Sequence, residues 1–160
     1  MNTKNSSNRQ VKSVRDLEVY KLSFNSAMEI YEMSKDFPRE ERYSLTDQIR
    51  RSSRSVCTNL AEGWRKRIYK GMFINKLSDS SQEAAETQTW LEFAVNCNYI
   101  DKNTFGQLFE KYEHILAMLS TMERMADSFC KHRMQHIGVR PNSPRSTLYA
   151  LRSTDNVAEG

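Results

Sequence analysis

The stretch LTDQIRRSSRSVCTNLAEG, residues 45–63, decides the fold. Leu45, Ile49, Val56 and Leu60 recur at helical spacing and form one apolar stripe, with Ser52, Ser53 and Ala61 as small neighbours. At roughly 100° per residue, Gln48, Arg51, Ser55, Asn59 and Glu62 fall on a second, polar stripe about 90° away. Arg50 and Arg54 lie on the far flank. The segment therefore predicts a helix over about 42–65, with a core face, a polar face and a basic edge. Gly63 lies near its end, where a loosened backbone is easy.

Working outward, Phe37-Pro38-Arg39-Glu40-Glu41 reads as a connection, because Pro38 disfavours helical geometry at Phe37. Before it, a helix capped near Asp16 is expected to bury Leu17, Tyr20, Phe24, Ala27 or Met28, and Tyr31. After it, residues 65–70 form a short basic connection. A third helix over about 71–98 carries Phe73, Leu77, Ser80, Ala84, Leu91 and Val95, and its small residues Ser80, Ser81, Ala84 and Ala85 admit a close neighbour. Asn98 to Asp101 reads as a turn with Asp101 as the next cap. The fourth helix carries Phe105, Leu108, Tyr112, Ile115, Leu119, Met122, Met125 or Ala126, and Phe129, and fades before Gly138 and Pro141.

These elements predict an all-α fold, an antiparallel up-down-up-down four-helix bundle over residues 16–137. Residues 1–15 are expected to be a disordered basic arm, and residues 138–160 a flexible tail. A chain of 160 residues with 5 Gly and 3 Pro leaves room for one domain of long helices. No apolar run approaches the ~18 residues of a membrane span. The N-terminus carries no apolar stretch of a secretory signal. Three scattered cysteines, Cys57, Cys97 and Cys130, suit a reducing compartment, so a cytoplasmic location without membrane contact is expected.

The net charge of +4 is unevenly spread. Residues 1–15 carry +4 and residues 138–160 carry +1, so the intervening core sums to −1. Within that core, residues 50–76 hold eight basic residues against Glu62, a balance of +7, and the remainder holds −8. A basic segment is set in an acidic body.

Sites of catalysis are not expected. The sequence has no Gly-rich phosphate loop, no nucleophile elbow and no Cys-x-x-Cys pair. Glu83/Glu86 and Glu110/Glu113 have the spacing of one half of a di-iron site, but no His follows at the required position. His132 and His136, four apart, would need a third ligand such as Cys130 to hold a metal. Cys57 has no histidine near it in sequence to activate it. No cofactor and no metal are expected.

Two features remain. Arg50, Arg54, Arg65, Lys66, Arg67 and Lys70, joined by Trp64 and Tyr69, form a basic cluster suited to phosphate contact and base stacking, or simply a solvated loop. Gln48, Arg51, Asn59 and Glu62 form either an ordinary solvated face or a polar seam to another helix or subunit, reaching Glu83 or Glu86.

The strings Phe37-Pro38-x-x-Glu41, Leu45-x-x-Gln48-Ile49-Arg50-Arg51-Ser52 and Ser55-Val56-x-x-Asn59-Leu60-Ala61-Glu62-Gly63 resemble one bacterial family. It is the four-helix bundle family first noticed in intervening sequences of 23S ribosomal RNA genes. Asp16 to Tyr20, Ser78 to Thr87 and Asn98-Tyr99-Ile100 are similar to it as well, so the resemblance covers about residues 15–128. It implies a four-helix bundle, a ring-like homopentamer and no established enzymatic activity. A distantly similar retroelement accessory protein binds nucleic acid and a reverse transcriptase. By the resemblance, Arg51, Asn59, Glu62, Glu83 and Glu86 match family positions as assembly or structural residues. Ser78-Asp79-Ser80-Ser81 departs from the more apolar or glycine-containing stretch of relatives, and the tail beyond 138 lies outside the resemblance.

The leading expectation is a non-catalytic homo-oligomer that binds structured RNA or DNA through the basic cluster. The second is a scaffold for a protein partner without a nucleic-acid role. A metal-dependent enzyme comes last.

Overall fold

The computed structural model describes residues 11–134, with side chains as far as Cys130. Residues 1–10 of the expected arm, the tail at 138–160 and the side chains of His132 and His136 lie outside the described residues. Five helices are present among them: α1 (Glu18–Met33), α2 (Leu45–Lys66), α3 (Lys70–Asn96), α4 (Lys102–Arg124) and α5 (Ala126–Met134). Each of the four long helices packs on its sequence neighbour, and α1 closes the bundle against α4. No described helix is long and apolar enough to cross a membrane.

The core is apolar where the periodicity places it. Ile49, Leu77, Leu91, Ile115 and Leu119 are fully buried, with Phe73 and Tyr112 as the largest side chains among them. Full burial of one such aliphatic side chain contributes about 1.5–3 kcal/mol.

α1 departs from its expected phase. Phe24 and Met28 are exposed, and the inward face is Val19, Ser23, Ser26, Ala27 and Ile30. Ser23 is tolerated there because the helix satisfies its hydroxyl, Ser23 Oγ donating to the Val19 carbonyl at 2.7 Å, whereas the buried Ser26 Oγ has no partner among the described residues. This inward face of mostly small residues leaves Phe24 and Met28 on the outer side of α1.

The start of α1 is also built differently. Asp16 does not cap it; Leu17 occupies the cap position. Asp16 closes a preceding 3-10 turn, Val14–Asp16, in a reciprocal box with Ser13. Its carboxylate accepts the backbone N–H groups of Lys12 at 3.0 Å and Ser13 at 2.8 Å, which lowers its pKa. Val14 and Leu17 are buried, so residues 11–15, expected in a disordered arm, are docked on the bundle.

α2 begins at Leu45, three residues later than expected, because Arg39–Glu41 forms its own 3-10 turn. Glu41 ties this turn to both neighbours: it accepts from Ser44 Oγ, from the Leu45 N–H at 3.3 Å and from Tyr99 Oη at 3.1 Å. Gly63 is an interior helical residue, and close approach explains it better than loosening at the helix end. A Cβ there would stand 2.9 Å from Lys76 Cβ on α3.

α3 ends as expected. Asn98 adopts φ 60°, the Tyr99 N–H reaches the Ala94 carbonyl and the Asn98 N–H reaches that of Val95, which together make a Schellman closure. Asp101 caps α4 by accepting the Thr104 N–H at 2.7 Å. Ala94 rather than Val95 is the buried residue near this end, and Ala85 is exposed.

α4 is not continuous through Phe129. It stops at Met125, which is exposed, and the chain resumes as α5 with Ala126 buried. The break lets α5 turn back onto α3. Phe129 then lies 5.9 Å from the Phe73 ring and 6.2 Å from Trp64, edge-on to the latter.

Candidate functional site on the second helix

The six cations of the expected basic cluster do not form one corner. Arg50 and Arg65 lie fifteen positions apart on α2, roughly 22 Å along the axis. Five of the six belong to two patches.

The first patch is organised by Tyr31 of α1. Arg50 lies 5.0 Å and Arg54 5.5 Å from its ring centre, and Lys35 lies 4.8 Å from it. Arg50 Nε also donates to Ser34 Oγ at 2.6 Å, which fixes the half-buried guanidinium. Arg54 and Arg51 are exposed beside it and line a shallow depression with Asp47, Ser55 and Thr58. Cations gathered on a ring face are held in place without losing their charge.

The second patch closes the last turn of α2. Arg65 is exposed, and Lys66 and Arg67 are half-buried. Arg67 lies 4.0 Å from the Trp64 ring centre and donates to the Trp64 carbonyl. Trp64 itself is buried, so it serves as a base for Arg67 and not as an open stacking surface. Lys70 is separate from both patches. It begins α3 and is ion-paired with Asp127 of α5 at 2.9 Å.

The polar stripe is also divided. Lys76 of α3 is the hub of one part: its ammonium bonds Asn59 Oδ1 at 3.1 Å, Glu62 at 2.9 Å and Asp79 at 3.1 Å. The bonds to Glu62 and then Asp79 raise its pKa. The other part is Arg51 with Glu83. Burial raises the Glu83 pKa, the neighbouring Glu86 raises it further, and the Arg51 charge partly offsets both. Glu86 faces elsewhere and accepts from Trp90 Nε1 at 3.0 Å. Gln48 is half-buried one turn before Arg51.

Lys76, Tyr31 and Lys35 are the participants that spacing did not single out. Lys76 was visible only as one charge in a basic stretch, and Tyr31 only as a core aromatic. Among the described residues no group of His, Cys, Asp and Glu is arranged to hold a metal ion. The Cys57 thiol is buried, and burial pushes it up to about 11.

Residues 15–121 match the model of the 23S rRNA-intervening sequence protein family. The fold is similar to a crystal structure from Bacteroides thetaiotaomicron, that of a protein with unknown function from the S23 ribosomal protein family. The two are 27% identical with a TM-score of 0.60, and the match covers 66% of this chain and 97% of the other. No curated protein sequence matches the chain.

Proposed function

This chain belongs to the 23S rRNA-intervening sequence protein family, and we propose that it acts there as a non-catalytic homo-oligomer that binds structured RNA or DNA through the cations of α2. One observation carries the reading. α2 presents cations to solvent near its middle, Arg51 and Arg54, and in its last turn, Arg65, with Glu62 the only carboxylate between them. Two spaced cationic patches on one rigid rod suit a polyanion better than a point ligand.

Self-association draws support from a different surface. The Trp90 and Phe93 rings of α3 lie 5.7 Å apart, tilted 38° to each other, and Phe93 is 53% exposed. Carboxylates surround this pair, Glu86 on the indole N–H and Glu92 beside Phe93, so it repels phosphate. An apolar pair of this kind suits a second protein surface. It also favours the second reading, a scaffold for a protein partner.

Electrophoretic mobility shift of a structured RNA across a salt series tests the main reading. Binding should weaken steeply with salt, and Ala at Arg50, Arg54, Arg65 and Arg67 together should abolish it. Salt-insensitive binding, or full binding by that variant, would leave the scaffold reading in its place. Light scattering tests assembly; a clean monomer contradicts it.

A further inference from the structure

The turn before α1 and the last turn of α2 face each other across a groove of about 880 Å³. Lys12 and Arg15 line one wall; Arg65, Lys66 and Arg67 line the other. Glu62, the carboxylate in this lining, is ion-paired with Lys76. The first wall is preformed: the Ser13–Asp16 box fixes its turn, and buried Val14 and Leu17 anchor it to the core. Lys12 and Arg15 are themselves exposed.

An aromatic edge adjoins these cations. Tyr20 lines the groove and stacks on Phe24, with ring centres 6.3 Å apart and planes 20° from parallel. Phe24 is 49% exposed. This pair borders cations, whereas the Trp90–Phe93 pair borders carboxylates.

The geometry points to a binding site for a single-stranded stretch of nucleic acid, such as the loop of a structured RNA. Its phosphates lie between the two cationic walls, and its bases stack at the Tyr20–Phe24 edge. The inference rests on the nucleic-acid reading above and adds to it a strand state and a second wall. Paired bases keep their faces inside the helix and would use only the cations; unpaired bases can also use the ring faces. An acidic polypeptide could match the charge but has no row of planar groups for the edge.

Fluorescence anisotropy on the full chain tests this, with a labelled oligouridine of about 12 nucleotides and a duplex of equal length as probes. The strand should bind more tightly than the duplex. Lys12→Ala/Arg15→Ala should weaken the strand about tenfold or more and lower its log–log salt slope by about 1.4, from ~0.7 per lost phosphate contact. Phe24→Leu should weaken the strand several-fold and leave the slope unchanged, a separation that mere destabilisation would not produce. Thermal melts of the variants serve as the check on folding.

Wild-type affinity and slope in Lys12→Ala/Arg15→Ala, with binding lost in Arg54→Ala/Arg65→Ala, would overturn the groove and leave the α2 reading standing. Tighter binding of the duplex, or competition by polyglutamate as effective as by unlabelled strand, would also overturn the groove. Absence of binding to every nucleic acid by the wild-type chain would remove both.

Discussion

Gly63 and Lys76 mark a close approach between α2 and α3: a Cβ on Gly63 would stand 2.9 Å from the Cβ of Lys76. A Cβ belongs to the backbone frame and cannot swing aside as a side-chain tip can. The glycine thus admits the close contact at which Lys76 of α3 reaches Asn59 and Glu62 of α2.

Gly63→Ala should therefore destabilise the bundle. Alanine gains about 0.5–1 kcal/mol of helix propensity, but overpacking costs about 1–3 kcal/mol, and the second wins. Gly106→Ala is the control, because a Cβ there meets nothing within 4 Å in the exposed face of α4. It should stabilise by about 0.5–1 kcal/mol. Urea denaturation of the two variants should give opposite signs.

Glu83 gives a pH dependence of unusual sign. Burial raises its carboxyl above the ordinary 4.5, so the folded state holds the proton to higher pH than the unfolded chain does. Stability from this group then falls as pH rises from 4.5 through the folded value and stays low above it. Glu83→Gln should be more stable than wild type at pH 7, and the difference should vanish as pH falls below about 4.5. A difference that persists unchanged at pH 3.5 would contradict the assignment.

Phe129 joins α5 to Trp64 and Phe73, and it is half-buried. Phe129→Ala should cost about 2 kcal/mol, below the ~3–5 of a fully buried phenylalanine. Trp64 would lose its edge-on neighbour and meet water, so the tryptophan emission should shift to the red. Unchanged emission would mean that α5 does not cover the indole in solution.

Thr87 Oγ1 lies 2.9 Å from Ser52 Oγ and 2.8 Å from the Glu83 carbonyl, a buried polar link between α2 and α3. Thr87→Val keeps the shape and removes the hydroxyl. The expected loss is about 1 kcal/mol, seen in the denaturation midpoint. Ser52→Ala/Thr87→Val should cost less than the sum of the single changes, since both partners of one bond are then gone.

The bundle was legible because α2, α3 and α4 bury large aliphatics at strict helical spacing. α1 was misread in phase because its true inward face includes Ser23 and Ser26, which look polar, while Tyr20, Phe24 and Met28 supply a more hydrophobic stripe one step around the helix. The break at Met125 carries no Gly or Pro to announce it. The family resemblance, read over about residues 15–128 with its most specific strings in α2, agrees with the family match over residues 15–121. The basic residues were legible as a group, but not their division, because spacing along a helix does not reveal which distant ring or carboxylate each cation meets. Tyr31, nineteen positions before Arg50 in sequence, drew Arg50 and Arg54 together, and Asp127 took Lys70 away.

The serine-lined face of α1 has a consequence for motion. A helix that contributes Ser23, Ser26 and Ala27 to the interior removes less apolar area from water than one that contributes leucines, so its detachment requires less free energy. Amide hydrogens in the middle of α1 should exchange through a local opening, ahead of those around Leu77 and Leu91 in α3. The wall of the groove built just before α1 would move with that opening, making the entrance of a strand and the breathing of one helix a single event.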